Sequence, residues 1–388
     1  MQRLPYTPYR SPELFAVEDT AAQLQWRGFE PGPVRIDVAR EDDPTRVLWS
    51  VDALASDQGG VGIGELTNLQ PRTTYRVTIY TATGRPHRVV LTTLAPPPGE
   101  LLGRFATLSD LHLGTHEFGL FPKAIEEPPV VPGHPARATR AGLAAAAAWG
   151  ASIVVLKGDL TDNSRPQEWR ELGLLIDEAH LPTLLMLGNH ERMHRKGRVD
   201  PEGPLAEMGR RIDPVLVHDL PGVRLVLVDT TGAHGWGDVT HSHDAAVAAV
   251  RDAGPCVVLL HHYLEPFAVP TFWPPGIGPR QSRRFVQEIA QANPAVMITA
   301  GHSHRHRRQQ RQGITITEVG SPKDYPGVWA GYAVHEGGIR QVVRRIGDPN
   351  CLAWTERTRA VMLGAWGHWT PGGLDERCFA LAWPTIAT

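Results

Sequence analysis

Apolar and polar positions change their rhythm early in the chain. Up to residue 96, short runs with β character recur between turn signals, at 22–26, 34–38, 47–51, 74–80 and 87–92. Tyr75, Val77 and Ile79 alternate with polar neighbours, the two-residue period of a half-buried strand. No long helical pattern interrupts these runs, which predicts a small all-β sandwich. The stretch LAPPPGE at 94–100 then breaks the pattern, because three consecutive prolines favour an extended, semi-rigid connector. Gly60, Gly62 and Gly64 imitate a dinucleotide-binding loop. Their final spacing is wrong, and no helix follows.

Past the connector, strands alternate with helices. Strands are expected at 105–108, 153–156, 183–187, 223–228, 256–260 and 295–299, and helices at 137–149, 167–179, 242–251 and 282–291. That alternation indicates an α/β domain. Further strand is expected from 314 and a hairpin over 332–345. The tail carries Trp354, Trp366, Trp369 and Trp383, so it is expected to dock on the body. No internal repeat is visible.

Composition narrows the class. Of 388 residues, 41% are hydrophobic and 21% charged, which suits a large packed core and excludes wholesale disorder. Lys and Arg total 39 against 41 Asp and Glu, for a formal charge of -2. That balance argues against a protein built to coat nucleic acid or an anionic membrane. Cys256, Cys351 and Cys378 are far apart and form no C-x-x-C pair, so neither a disulfide framework nor a cysteine zinc finger is expected. Prolines interrupt the N-terminus where a signal peptide needs an apolar stretch. The longest uncharged apolar run, 141–156, falls short of the ~18 residues of a membrane span. A cytoplasmic location and no membrane partner are the expectation.

The chemistry lies in five short segments, each just after an expected strand. They are Asp110-Leu-His112, Gly158-Asp159-Leu-Thr-Asp162, Gly188-Asn189-His190-Glu191, His261-His262 and Gly301-His302-Ser-His304. Carboxyl ends of strands are where open α/β sheets bind ligands. Residues at i and i+2 of an extended backbone point the same way, so Asp110 can converge with His112, and His302 with His304. The glycines at 158, 188 and 301 permit sharp turns. Carboxylate, amide and imidazole donors without thiolate suit Mn, Fe, Zn or Ni. Seven donors exceed the need of one tetrahedral ion and suit two ions ~3.5–4 Å apart that share a bridging carboxylate. Two divalent ions against Asp110 and Asp159 leave a net positive centre, which fits an anionic phosphoryl group.

The ordered set D-x-H, GD-x-x-D, GNHE, H and GH-x-H resembles the calcineurin-like metallophosphoesterases over about residues 103–320. The resemblance implies a β-sandwich flanked by helices, with the metals at one edge. It implies that Asp110, His112, Asp159 and His304 hold the first metal. Asp159 would bridge, while Asn189, His261 and His302 hold the second. The fourth block offers His261 or His262. Relatives usually read H-H-P with the first histidine on metal; Tyr263 replaces the proline here, and His261 is favoured. His190 would sit beside the scissile phosphate, oriented by Asp162. The implied activity is hydrolysis of phosphate esters, as a phosphodiesterase, a phosphomonoesterase or both, by a hydroxide bridging two ions of Mn2+, Fe2+/Fe3+ or Zn2+.

Residues 10–96 resemble a fibronectin type III domain through LTNLQPRTTYRVTIYTATG and through Trp26. The expected organisation is therefore a fibronectin-like sandwich at 1–96, a Pro-rich linker at 97–102, a catalytic domain at 103–347 and a docking tail at 348–388. A sandwich followed by a phosphoesterase is similar to the layout of purple acid phosphatases. Those have glycine in place of His112 and a metal-binding tyrosine in place of Asp162, so the tyrosinate–iron colour is not expected. Phosphoprotein phosphatases place arginine where Asn163 stands, which counts against phosphoserine proteins. The SDLHLG and LGNHE forms look closest to the cyclic-nucleotide and phosphodiester branch.

The expected partner is a small-molecule phosphate ester, with a homo-oligomer or protein partner assigned to the N-terminal domain. Two alternatives are a nuclease of the same superfamily, for which Arg305, Arg307, Arg308 and Arg311 would steer nucleic acid, and a metal-binding scaffold without turnover. For the arginine run, a solvated strand edge is the simpler reading. His116, His194, His241, His243 and His306 read as solvated or substrate-edge residues. Two Pro-rich insertions, 114–135 and 265–279, are expected to cover the site, with Phe267, Phe272 and Trp273 shaping the pocket.

Overall fold

The computed structural model describes residues 12–82, 84–119, 125–128, 130–193, 196–232, 235–251, 253–269, 273 and 275–384. The N-terminal part consists of two antiparallel sheets. One orders Glu13–Val17, Ala22–Trp26 and Gly62–Leu66; the other orders Asp43–Ala55, Gly32–Arg40, Thr74–Tyr80 and His87–Thr92. The alternation holds in Thr74–Tyr80, where Tyr75, Val77 and Ile79 are buried. The Tyr75 hydroxyl accepts a hydrogen bond from the Gln70 N–H at 2.8 Å and so pins the preceding turn. Gly62 and Gly64 lie in the strand Gly62–Leu66 and Gly60 in the turn before it, so the run forms no phosphate loop. A Cβ at Gly62 would lie 2.5 Å from the Trp26 indole nitrogen, and one at Gly64 would lie 2.3 Å from Ile36 Cδ1. Those glycines make room for the buried Trp26.

The body holds two six-stranded sheets. The first orders Thr183–Met186, Val154–Lys157, Leu101–Leu108, Val328–His335, Gly338–Arg345 and Phe379–Ala382. Its first three strands are parallel. The second orders Val215–Leu220, Val223–Val228, Cys256–Leu259, Val296–Ala300, Ile314–Glu318 and Arg307–Arg311, with the middle four parallel. Helices His134–Ala148 and Pro166–Ala179 share an apolar core with the first sheet, and His243–Val250 and Pro279–Ala292 share one with the second. The strand Leu101–Leu108 reaches back into the stretch expected as connector.

Between the sheets lie Phe105, Val155, Leu259, Met297 and Tyr332. Phe105 stacks on Tyr332 with ring centroids 4.6 Å apart. Lys157 is fully buried there and donates to the Ala300 carbonyl at 2.9 Å and to Thr299 Oγ1 at 3.3 Å. Burial pushes its ammonium down to about 7.

The sandwich docks on the body through polar groups. Buried Glu18 accepts from Arg340 Nη2 at 2.8 Å, from Arg344 and from the Trp149 indole. Gln23 and Gln25 accept from Arg345. In the tail, Asp348 caps the helix Pro349–Arg359 by accepting from the N–H groups of Asn350 and Cys351. Trp354 and Trp366 are buried, Trp383 packs against the core, and Trp369 stays 41% exposed. Phe379–Ala382 then adds an edge strand beside Gly338–Arg345.

Candidate metal centre

All five motif segments follow parallel strands and meet at one edge of the two sheets. Local backbone geometry differs from the sequence expectation. Asp110, His112, Asp159, His302 and His304 have φ of 61°, 49°, 48°, 66° and 51°. They lie in left-handed turns, not on extended backbone, so the i, i+2 argument is replaced by a turn in each loop. Non-glycine residues enter that region at a cost of ~1–3 kcal/mol each and persist where the surroundings over-determine them. Here the turns are held by their neighbours: Asp110 N–H donates to the Gly158 carbonyl, His112 N–H to the Asp159 carbonyl, and His302 N–H to the Asp110 carboxylate.

The glycines serve the side chains as well as the turns. A Cβ at Gly188 would sit 2.2 Å from Asp159 Oδ1, and one at Gly301 would sit 1.9 Å from Ser109 Oγ and 2.8 Å from Asp110 Oδ2. Either substitution would invade a carboxylate.

Asp159 lies between two groups of donors. Its Oδ1 accepts from His190 N–H at 2.9 Å and is 3.4 Å from His261 Nε2, while its Oδ2 is 3.5 Å from His112 Nε2. Asn189 Oδ1 is 3.1 Å from His261 Nε2. On the other side, His304 Nε2 lies 3.5 Å from Asp110 Oδ1. His261 and His302 rings are 5.2 Å apart. His262 sits in the same cluster, but its ring nitrogens face Thr230 Oγ1 at 3.0 Å and the Gly235 carbonyl at 3.1 Å. The structure thus brings all seven predicted donors and His190 together.

These residues fit a metal centre. Donor atoms of Asp110, His112 and His304 lie within 4.8 Å of one another, as do those of Asp110, Asp159 and His261, and those of His261, His262 and His302. His112 Nε2 is buried without a hydrogen-bond partner. Such an atom costs ~1–3 kcal/mol unless something fills the gap, and a cation would do so. The oxygen and imidazole donor set suits divalent transition ions.

His190 packs edge-on against His112, with ring centroids 4.3 Å apart. Its Nδ1 is 2.7 Å from the main-chain carbonyl of Asp162 and 3.5 Å from that residue's carboxylate. The carbonyl makes the closer contact, and the carboxylate is shared with His112 Nδ1 at 3.4 Å. Burial disfavours the charged His190 ring, but Asp159 and then Asp162 outweigh it and raise the ring to about 9.

Three supporting residues escaped the sequence reading of roles. Buried Glu191 accepts from the Thr161 and Gly188 N–H groups, each at 2.8 Å, and ties the second block to the third. Asp324 accepts from His304 Nδ1 at 2.6 Å, and Lys157 underlies the loops through its carbonyl, 2.8 Å from His261 Nδ1. Glu191 stood inside a motif; Asp324 stands apart from any, and no spacing signal marks it.

Other expectations divide. His116 and His241 are exposed, as expected. His243 and His306 are buried instead: His243 pairs with Glu288 at 2.8 Å, and His306 Nδ1 accepts from Gly320 N–H. His194 and Phe272 lie outside the described residues. Trp273 and Phe118 line a cavity of about 190 Å3 above the donors, together with residues of the tail. Phe267 is 61% exposed and does not line it. A larger cleft of about 880 Å3 lies between sandwich and body, lined by Glu18, Arg104, Trp149 and Arg344 among others, away from every donor cluster found among the described residues.

Paired mixed sheets with carboxylate, imidazole and amide donors gathered at their edge define a protein of the metallophosphoesterase class. The sequence profile of the calcineurin-like phosphoesterases matches residues 103–306, just over half of the 388. The chain belongs to that family. It is similar to a probable cyclic nucleotide phosphodiesterase of Synechococcus, 26% identical over 175 residues, covering 44% of this chain and 64% of the relative. A second relative, a probable cyclic nucleotide phosphodiesterase of Psychrobacter arcticus, is 21% identical over 174 residues, covering 42% of this chain and 61% of its own length. The chain thus spans less than two thirds of these relatives. It is also similar to the structure of a purple acid phosphatase from yellow lupin seeds, at 14% identity, covering 87% of this chain and 72% of the other, with a TM-score of 0.45.

Proposed function

We propose that the chain hydrolyses phosphate esters at a dinuclear metal centre, with diesters, and cyclic nucleotides among them, as the leading class. The observation that carries this is the Asp159 carboxylate, whose two oxygens face different donor groups. Asp110, His112 and His304 complete the first set, and Asn189, His261 and His302 the second. His261 is preferred over His262 because its Nε2 faces two other candidate donors, Asn189 Oδ1 at 3.1 Å and Asp159 Oδ1 at 3.4 Å, whereas the His262 nitrogens face Thr230 Oγ1 and the Gly235 carbonyl. Bound cations would supply charge stabilisation at phosphorus and ionise water near neutral pH.

The protein supplies the proton. With its Nδ1 held by the Asp162 carbonyl at 2.7 Å, the His190 ring presents Nε2 toward the site, 4.0 Å from Asp159 Oδ2. That group can neutralise a phosphoryl oxygen and protonate the leaving alkoxide. The names of the curated relatives favour the diester class.

No observation favours the nuclease reading. Arg305 is buried in an ion pair with Glu318 at 2.8 Å, Arg307 lies 3.9 Å from the same carboxylate, and Arg308 covers the Phe379 ring. The seven-stranded N-terminal sheets and the Tyr75 contact support a fibronectin type III-like domain at 1–96, with the catalytic domain at 103–347 and the tail at 348–388. Three free, buried cysteines support a reducing, cytoplasmic setting. Among the described residues no helix is long and apolar enough to cross a membrane.

The test is protein stripped and reloaded with Mn2+, Fe2+ or Zn2+, its metals counted, then assayed on bis(p-nitrophenyl) phosphate, p-nitrophenyl phosphate and cyclic AMP. Hydrolysis that tracks occupancy of two ions per chain is expected. Two bound ions without turnover of any ester would leave the scaffold alternative standing.

A further inference from the structure

The cavity above the donors has two unlike halves. Its floor is His112, Asp159, Asn189, His190, His302 and His304; its roof is Phe118, Val361, Met362 and Trp366, with Trp273 at the side. Most of that roof comes from the tail, beyond the stretch matched by the family profile.

The tail is bent into this position. Met362, Leu363 and Gly364 have φ of 55°, 58° and 87°, three left-handed residues in succession. Two of them are not glycine, so the turn is strained. Leu363 gains nothing from it, being 95% exposed. Met362 is left half exposed at the cavity, beside buried Val361. A strained turn that throws one apolar side chain outward and brings another to the mouth of the donor cluster calls for a reason there.

Roof and floor are also tied together. The Trp366 indole N–H donates to Asp324 Oδ1 at 3.3 Å, and the other oxygen of that carboxylate holds His304 Nδ1 at 2.6 Å. The same indole lies 5.3 Å from the Phe118 ring. A ring held by its edge keeps a fixed attitude toward whatever rests on the floor.

Charge and size narrow the occupant. No Lys or Arg lines the cavity among the described residues. The nearby Lys323 lies 3.5 Å from Asp324 and over the Phe118 ring. Among the described residues, no lining cation beyond the floor would balance a second phosphate. A volume of about 190 Å3 is below the ~300–1,000 Å3 of sites that enclose drug-sized ligands.

We propose that the C-terminal segment around Val361, Met362 and Trp366 forms a subsite for the organic group of the substrate, selecting esters with one phosphoryl group and a flat or apolar substituent. This rests on the phosphoesterase reading and gives it a substrate class.

The experiment uses the full chain loaded with Mn2+ and compares phenylphosphonate with methylphosphonate by calorimetry. Both carry the same anionic head. The phenyl compound should bind about tenfold tighter, the scale expected from covering part of a ring with apolar surface. Met362→Ser, at a half-exposed position that folding tolerates, should remove most of that preference and leave methylphosphonate affinity and metal content unchanged. Equal affinity of the two phosphonates in the wild type, failure to bind either, or equal weakening of both in Met362→Ser would each overturn the subsite. Turnover of p-nitrophenyl phenyl phosphate is measured in parallel. A phenyl preference without turnover would sink the hydrolase reading and leave the subsite intact.

Discussion

The N-terminal sandwich and the body are both built from paired β-sheets with apolar interiors, yet they place buried polar groups in opposite ways. In the sandwich, Glu18, Gln23 and Gln25 are buried at the seam, where each meets an arginine of the body. In the body, polar burial concentrates where parallel strands end, and the donors there face one another. Backbone strain follows the same division. The sandwich's left-handed non-glycine residues, Asn68 and Arg72, flank a turn, whereas five in the body carry candidate metal ligands. At the seam the acceptors of Glu18, Gln23 and Gln25 meet arginine donors already present, whereas in the donor cluster His112 Nε2 is left with an open valence.

The comparison breaks most sharply at Asp159. Asp159→Ala removes a carboxylate whose two oxygens face different donor groups, so both ions should be lost and hydrolysis should fall to background. Metal counting and the diester assay check this together. A variant that keeps two ions would refute the bridging role. Next is His190→Ala, which should keep both ions and lower kcat by ~10²–10³-fold, within the usual range for a positioned proton donor. Unchanged kcat would remove His190 from the reaction.

At the seam, the effect should be on stability alone. Glu18→Ala leaves Arg340 and Arg344 buried without that carboxylate, and stranding buried charge typically costs ~3–5 kcal/mol. Denaturant unfolding should show a loss of about 3 kcal/mol, while kcat per folded molecule stays the same, because no described residue of the sandwich lines the cavity. A fall in kcat in the folded fraction would bring the sandwich into the active site.

Much of this division was legible in the sequence. Each motif segment follows a short apolar run, and such runs become parallel strands whose ends meet. The alternation around Tyr75 and the apolar runs at 223–228 and 256–260 sit where the strands are. Glu13–Val17 escaped because consecutive residues are apolar and a register shift between Leu14 and Ala16 spoils the alternation. Gly62–Leu66 escaped because glycines chosen for the Trp26 indole look like turn residues. Asp324, Trp366 and Met362 carry no pattern linking them to the motifs. Their part at the site depends on a chain reversal that local periodicity does not encode.

A smaller effect would sharpen the contrast within the body itself, since His134 is buried there for packing and not for chemistry. Its ring stacks on Trp354 of the tail with centroids 4.0 Å apart, and its Nδ1 lies 3.1 Å from Glu127, a carboxylate shared with Arg137. Burial, then the charges of Lys323 and Arg137, push this ring down to about 2. The unfolded chain binds a proton near its ordinary 6.5, while the folded chain does not. Stability from the neutral ring is therefore full above pH 6.5 and is lost as the pH falls below it. At most ~1.4 kcal/mol is lost per pH unit. Metal-free wild type and His134→Gln should be unfolded in denaturant at pH 7 and pH 5.5. The wild type should lose about 1 kcal/mol more than the variant over that interval, whatever constant offset the lost stack imposes. Parallel losses would mean that the ring takes up its proton without leaving the fold, and that polar burial in the body outside the donor cluster is as well satisfied as at the seam.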